Sequence, residues 1–539
     1  MTRFAFRNDA EWWRHAVVYQ VFPASFRDTD GDGMGDLQGI QSRLDHLEWL
    51  GVDAIWLSPI HPSPMLDGGY DISDFLGVDS RFGSMEDFDG LLRACHARGI
   101  RLLLDFVPNH TSDQHPWFLE SRSSRKHARR DWYVWRDPAA NGGPPNNWLG
   151  RFGGSAWELD RPTGQYYYHA FLKEQPDLNW RNPEVLNAMS EVLRFWMRRG
   201  VDGFRVDATG VLIEDDLLRD DPPKPGADDA VPPPERQTRV FTDSRPEAFE
   251  CLARLRSVID EFPHRLMAGE ADTSAGMLGR FYGEPSAPAL QLPLNFGLLD
   301  AQWDGRSVTA AIDTYLDRVP AHGWPSWALG GHDKRRIAER LGPTQARAAA
   351  MLHLTLPGTC FFYAGDEIGI PQVPVPPERI RDPFEKLVPG YGLGRDPERT
   401  PMRWNDGPGA GFTTGEPWLP IGSCAPGLNV AAQREDGRSM LQLYRRLIAL
   451  RKAEPALHAP SIEPLRGTPE TVAFRRRHPG QPAALVLLNL SEVPQTVDLP
   501  GPGRVLLSTH LDREDDSLAG STILRPAEGL VIREESPES

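Results

Sequence analysis

Asp207, Glu270 and Asp333 each close a short apolar run: Gly203-Phe204-Arg205-Val206-Asp207, then Gly269-Glu270, then His332-Asp333. An acid at the end of a buried strand is presented to a catalytic rim. Three such acids on separate strands suit chemistry on a sugar acetal, in which one carboxylate attacks or steadies a cation, one moves the proton and one holds the sugar. Arg205 lies two residues before Asp207 on the same strand face, where its charge is expected to depress the pKa of that acid. Small Ala268 and Gly269 before Glu270 leave room for a substrate or a neighbouring strand, and the negative charge of Asp207 suits Glu270 to proton donation. Asp333, beside His332, is placed to bind hydroxyls and a charged transition state. Any one of these acids alone reads as a helix cap or a surface group; the three together do not.

A second acidic pattern is Asp28-Thr29-Asp30-Gly31-Asp32-Gly33-Met34-Gly35-Asp36. Carboxylates of Asp28, Asp30, Asp32 and Asp36, with the backbone carbonyl of Met34, can wrap a hard cation such as Ca²⁺ or Mg²⁺. The terminal Glu and flanking helices of an EF-hand are missing, so the alternative is a flexible acidic turn.

The elements that must position these residues alternate between apolar runs and amphipathic stretches. Candidate strands are Ala16–Phe22, Ala54–Ser58, Arg101–Val107, Val201–Asp207, Arg265–Glu270, Leu292–Phe296, Trp327–Gly330 and Cys360–Ala364. Their unbroken hydrophobicity suits strands buried on both faces. Leu37, Ile40, Leu44, Leu47 and Leu50 predict a helix stopped by Gly51; Ser84 to Asp87 predicts a capping box; Val185 to Arg199 predicts a helix ending at Gly200. The alternation predicts an α/β fold: a (β/α)8 TIM barrel with parallel strands and outer helices.

Two stretches interrupt that rhythm. Residues 109–180, rich in Trp and Tyr, are too long for a βα loop and predict a subdomain inserted after the third strand, its aromatics mostly filling its own core. Asp215 to Arg245, rich in Asp and Pro, predicts a mobile loop on the active-site rim. From about Pro460 the pattern becomes period-two strands with Gly/Pro turns, predicting a C-terminal antiparallel β-sandwich. The expected division is therefore barrel 1–108, insert 109–180, barrel 181–459 and sandwich 460–539.

Of the 539 residues, 40% are hydrophobic and 25% charged, as in a globular protein. A formal charge of −16 without a basic stripe argues against a nucleic-acid partner. The four cysteines, Cys95, Cys251, Cys360 and Cys424, form no CxxC pair and read as buried thiols. No apolar run reaches the length of a membrane span, and Met1 to Glu11 lacks a leader pattern. A cytoplasmic enzyme, monomeric or homodimeric, is expected.

The motifs Asp105-Phe106-Val107-Pro108-Asn109-His110, Gln175-Pro176-Asp177-Leu178-Asn179, Gly203 to Asp207, Gly269-Glu270 and His332-Asp333 resemble the α-amylase superfamily, glycoside hydrolase family 13. Within it, Arg395-Asp396 and Arg399-Thr400-Pro401-Met402 resemble the α-glucosidase and oligo-1,6-glucosidase group. The resemblance implies Asp207 as nucleophile, Glu270 as general acid/base and Asp333 as transition-state stabiliser. It also implies that His110, Arg205 and His332 line the glucosyl subsite, that Tyr70 stacks on the sugar, and that Asp71 pairs with Arg395 to close the pocket for exo action. It supports a structural Ca²⁺ or Mg²⁺ and no organic cofactor. Ala208, in the place where a valine accompanies α-1,6 cleavage in similar enzymes, favours α-1,4 substrates. Gly331 and Arg335 depart from the group's usual residues near the seventh strand, as do Ala271 and Asp272 after Glu270. The expected activity is retaining, exo-acting hydrolysis of short oligosaccharides, disaccharides or α-glucosides. The alternatives are a transglucosylase or isomerase of trehalose-synthase-like or sucrose-cleaving type, and a non-catalytic, transporter-associated binding subunit.

Overall fold

The computed structural model describes residues 10–271, 275–423 and 425–535. All eight predicted barrel strands form: β1 Val17–Val21, β2 Ala54–Leu57, β3 Arg101–Phe106, β4 Gly203–Val206, β5 Leu266–Glu270, β6 Leu292–Leu294, β7 Ser326–Ala328 and β8 Thr359–Tyr363. They pair in parallel in the order β6-β5-β4-β3-β2-β1-β8-β7, and a parallel bridge from Asn295 to Trp327 joins the two ends into a barrel.

Uniformly apolar strands divide by the period of two that the pleat imposes. Val18, Ala54, Trp56, Leu103, Ala268, Leu292 and Phe361 pack together in the interior. Val17, Tyr19, Ile55, Leu57, Leu102 and Leu104 pack in the larger core shared with the helices. Asp105, two residues beyond inward-facing Leu103, therefore turns its carboxylate toward the barrel axis.

The predicted helix from Leu37 to Leu50 is two helices, Leu37–Gln41 and Leu44–Leu50. The first ends where the Ser42 hydroxyl donates to the Gly39 carbonyl at 2.7 Å, drawing the backbone out of register. Gly51, at φ 94°, closes the second as expected. Ser84 and Asp87 form the predicted capping box, and the helix Pro183–Arg199 ends at left-handed Gly200.

In the insert, a three-stranded sheet of Trp135–Arg136, Trp157–Asp160 and Gln165–Tyr168 packs Trp148, Trp157, Tyr166 and Tyr168 into a core of its own. Residues 215–245, expected to be a mobile loop, are instead pinned to the insert. Arg219 accepts from the Trp148 indole at 2.8 Å, while Gln237 and Arg239 donate to the carbonyls of Asn147 and Leu149, each at 2.8 Å. Asp221 holds the segment's return through Phe241 and Thr242. A polar, Pro-rich composition thus reflects a backbone held largely by hydrogen bonds, with Leu218 and Phe241 packed against the insert's core.

At the C-terminal end, the strands Thr471–Arg476, Ala484–Asn489, Gly529–Glu534 and Gly503–Ser508 form the centre of a six-stranded antiparallel sheet. A separate pair, Gln495–Asp498 with Ser521–Leu524, covers it, and Leu485, Leu487, Val497, Leu524 and Leu530 are buried between them. Cys95, Cys251 and Cys360 are buried free thiols, whereas Cys424 and Asp272 lie outside the described residues, as do residues 1–9 and the final four residues. Among the described residues no helix is long and apolar enough to cross a membrane.

Candidate active site

The parallel register places Asp105 on β3 opposite Arg205 on β4, and Arg205 opposite Ala268 on β5. The Arg205 side chain consequently rises at the carboxyl end between three acids. It reaches Asp105 at 3.0 Å, Asp207 at 2.5 Å and Glu270 at 3.1 Å, with its guanidinium carbon 5.0 Å from the Trp56 ring centre. Asp207 still belongs to the ladder through its amide, which donates to Phe106 at 2.8 Å. Ala208 then takes a left-handed backbone, φ 50°, and its amide points at Glu270 across 3.3 Å. A Cβ on Gly269 would come within 2.7 Å of Leu290 and 3.0 Å of Thr209, so any larger residue would have to displace those side chains beside Glu270.

Arg205 pulls the pKa of Asp207 down, as expected, but does not set the net shift. Burial raises Asp207 well above the ordinary carboxylate range, Arg205 opposes this, and Glu270, Asp105 and Asp333 add to the rise. Burial likewise raises Asp105 against the pull of Arg205. One guanidinium shared among three acids offsets only part of their desolvation and mutual repulsion.

Asp333 is set differently. Burial opposes its charge, but His332, Arg395 and Arg399 hold the carboxyl far below its usual range. Burial also pushes His332 down to about 3 despite Asp333 beside it, so at neutral pH the two guanidiniums are the charged partners. Arg395 lies 3.2 Å from Asp333, and Arg399 donates to the same oxygen. The Gln20 amide faces His332 Nδ1 at 2.6 Å, leaving the proton on Nε2, which is 2.8 Å from the Tyr70 oxygen and 3.1 Å from Asp333. Tyr70 in turn donates to Asp105 at 2.9 Å and stacks on His332 with 3° between the rings. His110 lines the same pocket between the Tyr70 carbonyl and the Gln175 amide, and burial pushes it down to about 4.

Asp71 is not the partner of Arg395. Its carboxylate is turned inward, accepting from Ser63 Oγ at 2.9 Å and from the amides of Leu66 and Asp67 at 2.9 and 3.1 Å, and burial raises it to about 6. It shapes the loop that presents Asp67, and Asp67 meets Arg395 at 2.7 Å. Asp382 grips the other side of Arg395 at 2.6 Å. Sequence reasoning assigned no role to Asp67, Asp105 or Asp382. Asp105 opens the motif Asp105 to His110 and Asp67 stands just before Tyr70 and Asp71, whereas Asp382 carries no sequence signal.

Around these groups lies an open cleft of about 1680 Å³, counting its mouth, whose lining includes Asp67, Tyr70, His110, Asp207, Glu270, Asp333 and Arg395. All nine predicted site residues except Asp71 are thus brought to one region: the pocket lining, or, for Arg205 and His332, its floor.

The acidic loop gathers part of the expected ligand set. Asp28, Asp30 and Asp32 offer carboxylate oxygens within 4.8 Å of one another. Asp36 is turned away, capping the helix Leu37–Gln41 through Gly39 at 2.6 Å and accepting from Thr29 at 2.7 Å. Met34 donates its amide to Asp32 at 2.7 Å. Burial raises Asp32, and the charges of Asp30, Asp28 and Asp36 raise it further, a repulsion that a cation would relieve.

A closed parallel barrel with carboxylates converging at the strand ends around a sugar-sized cleft defines a glycoside hydrolase. The profile of the alpha-amylase catalytic domain matches residues 20–459, and the chain belongs to that family. It is 42% identical over 508 residues to a probable alpha-glucosidase of Rhizobium meliloti, covering 91% of this chain and 92% of that one. It is 36% identical to an oligo-1,6-glucosidase of Parageobacillus thermoglucosidasius, covering 97% and 99%. The crystal structure of an alpha-glucosyl transfer enzyme, XgtA, superposes with a TM-score of 0.91 at 38% identity, over 97% of this chain and 99% of that one.

Proposed function

We propose that the protein is a retaining, exo-acting α-glucosidase that releases terminal glucose from short oligosaccharides, disaccharides or α-glucosides, with α-1,4 linkages favoured. The observation that carries this is Arg205 spanning Asp207 and Glu270. Two carboxylates held by the terminal nitrogens of one guanidinium are drawn together at one point of the rim, which supports double displacement.

In this reading Asp207 attacks the anomeric carbon while Glu270 gives its proton to the glycosidic oxygen, and the aglycone departs. A covalent glucosyl ester on Asp207 remains. Glu270, now a carboxylate, takes a proton from water, which attacks the ester and releases α-glucose. Asp333, kept ionised by Arg395 and Arg399, steadies the cationic transition state. His110, His332 and Tyr70 flank the sugar, and Asp67 with Arg395 closes the non-reducing end, which supports exo action. Names of relatives, a probable alpha-glucosidase and an oligo-1,6-glucosidase, support the same reading.

The Asp28 loop fits a structural Ca²⁺ or Mg²⁺ held by Asp28, Asp30 and Asp32 with the Met34 carbonyl, Asp36 bracing the loop through its cap. Such a cation would neutralise the loop's acids and lock its turn. Buried free thiols at Cys95, Cys251 and Cys360 support a cytoplasmic location.

Asp207→Ala is expected to lower turnover of 4-nitrophenyl α-glucoside by at least about 10⁴-fold, as removal of a covalent nucleophile does; retained turnover rejects the assignment. Time-resolved NMR is expected to find α-glucose first, and β-glucose first would contradict retention. A second reading, transfer of the glucosyl group to a sugar instead of water, is favoured by the resemblance to an alpha-glucosyl transfer enzyme. Product chromatography with maltose and sucrose separates the two.

A further inference from the structure

Gln20 is the polar residue of an otherwise apolar strand, Val17-Val18-Tyr19-Gln20-Val21. It follows inward-facing Val18 by two residues, so the pleat turns it toward the barrel axis, in register with Trp56 of β2. It is buried, and a buried amide costs free energy unless its hydrogen bonds are made. Gln20 makes them in a hollow lined also by Trp56, Glu270, His332 and Asp333. Its nitrogen lies 2.6 Å from His332 Nδ1 and donates to Ser58 Oγ at 3.4 Å.

The other ring nitrogen decides which tautomer His332 adopts. Nε2 lies 2.8 Å from the Tyr70 oxygen and 3.1 Å from Asp333 Oδ2. Tyr70 gives its own proton to Asp105, and Asp333, held ionised by its arginines, only accepts. Both oxygens therefore require a proton on Nε2. Burial keeps the imidazole neutral, its pKa pushed down to about 3, so Nδ1 carries a lone pair. That buried lone pair needs a donor, and the Gln20 amide supplies it. Stacking on Tyr70 and Phe22, with 3° and 24° between the rings, fixes the plane of the imidazole but not which edge meets Asp333. Turning the ring over would set Cε1 against Asp333 and Cδ2 against the amide. Moving the proton to Nδ1 would set a lone pair against Asp333 and two N–H groups against each other.

We propose that Gln20 is a positioning residue of the reaction, holding His332 in one tautomer and one ring orientation so that Nε2–H stays directed at Asp333. The proposal rests on the α-glucosidase reading, in which Asp333 steadies the cationic transition state, and adds to it a residue that acts through His332. A donor fixed beforehand needs no reorganisation as charge develops on the sugar.

Gln20→Met keeps the length of the side chain and removes the donor. With maltose, kcat is expected to fall about ten-fold or more, the effect of one buried hydrogen bond, while KM changes less. In a His332→Asn background the same substitution is expected to lower kcat by less than about two-fold, because its partner is already gone. An equal loss in both backgrounds, or no loss in the parent, overturns the proposal. Long-range NMR of the ¹⁵N-histidine-labelled parent, with His332→Asn to assign the signal, does not depend on whether Gln20→Met folds. It is expected to show His332 protonated at Nε2 and bare at Nδ1, and a proton on Nδ1 overturns the proposal. These failures in a parent that hydrolyses maltose overturn this proposal alone. A parent that hydrolyses neither maltose nor 4-nitrophenyl α-glucoside overturns the α-glucosidase reading and this proposal with it.

Discussion

Arg395 Nη2 lies 2.7 Å from Asp67 Oδ1 across 328 residues of chain, and the same guanidinium is held by Asp382 and directed at Asp333. One side chain thereby ties the wall of the pocket to the acid that faces the sugar. Asp67→Asn removes the charge of this pair but keeps its shape. Charge-assisted hydrogen bonds contribute about 1.5–3 kcal/mol, so KM for maltose is expected to rise by at least about ten-fold, with a smaller change in kcat. Asp71→Asn instead leaves a donor unpaired in the loop, and its cost is expected in Tm. Steady-state kinetics and thermal unfolding of the two variants distinguish the pocket partner from the loop brace.

The pH–rate profile follows from the shared guanidinium. If Asp207 must be ionised to attack and its pKa is raised, activity is lost as pH falls through that raised value. The acid limb of kcat/KM, which reports the free enzyme, is therefore expected above the ordinary aspartate range. Asp105→Asn removes one neighbouring negative charge and is expected to move that limb to lower pH. A limb that stays put would remove Asp105 from the coupled set.

Stability against pH is read most simply at His353, which is far from the chemistry. It is buried in the helix Ile337–Thr355, bonded to the Trp327 carbonyl at 2.9 Å, and burial lowers it to about 4. Its folded pKa lies below the unfolded value, so the unfolded chain binds the extra proton between the two. Stability is present above about pH 6.5 and is lost as pH falls toward 4, by about 3 kcal/mol at most. His353→Gln is expected to lose less Tm than the parent between pH 7.5 and 4.5.

Chelation tests the acidic loop. If Asp28, Asp30 and Asp32 hold a cation only in the folded state, EDTA is expected to lower Tm and Ca²⁺ to restore it; ligand at about 100 times its Kd contributes about 2.7 kcal/mol. Asp30→Ala is expected to abolish the response. A Tm indifferent to EDTA in the parent would leave the loop as an acidic turn.

At Ala208 the expected linkage preference can be weighed against backbone strain. Its left-handed φ of 50° tolerates a methyl group poorly and a branched side chain worse. Ala208→Val is expected to cost about 1–3 kcal/mol, seen as a lower Tm, and to reduce the rate on maltose relative to isomaltose. An unchanged ratio would separate this residue from linkage preference.

The barrel, the three acids at Asp207, Glu270 and Asp333, and the two outlying modules were legible from residue order alone. Apolar runs of strand length, the acids that end them and the turn residues between them are local signals, and parallel strands buried on both faces carry them strongly. The helix stops at Gly51 and Gly200 were equally local. Tertiary structure alone decided that Asp67 rather than Asp71 meets Arg395, because two acids four residues apart in one loop look alike until the backbone turns one inward. It decided as well that Arg205 is divided among Asp105, Asp207 and Glu270, which reverses the pKa shift expected for a single pair. The grip of Asp382 on Arg395, 13 residues further along the chain, was likewise decided by distance and burial, not by residue type.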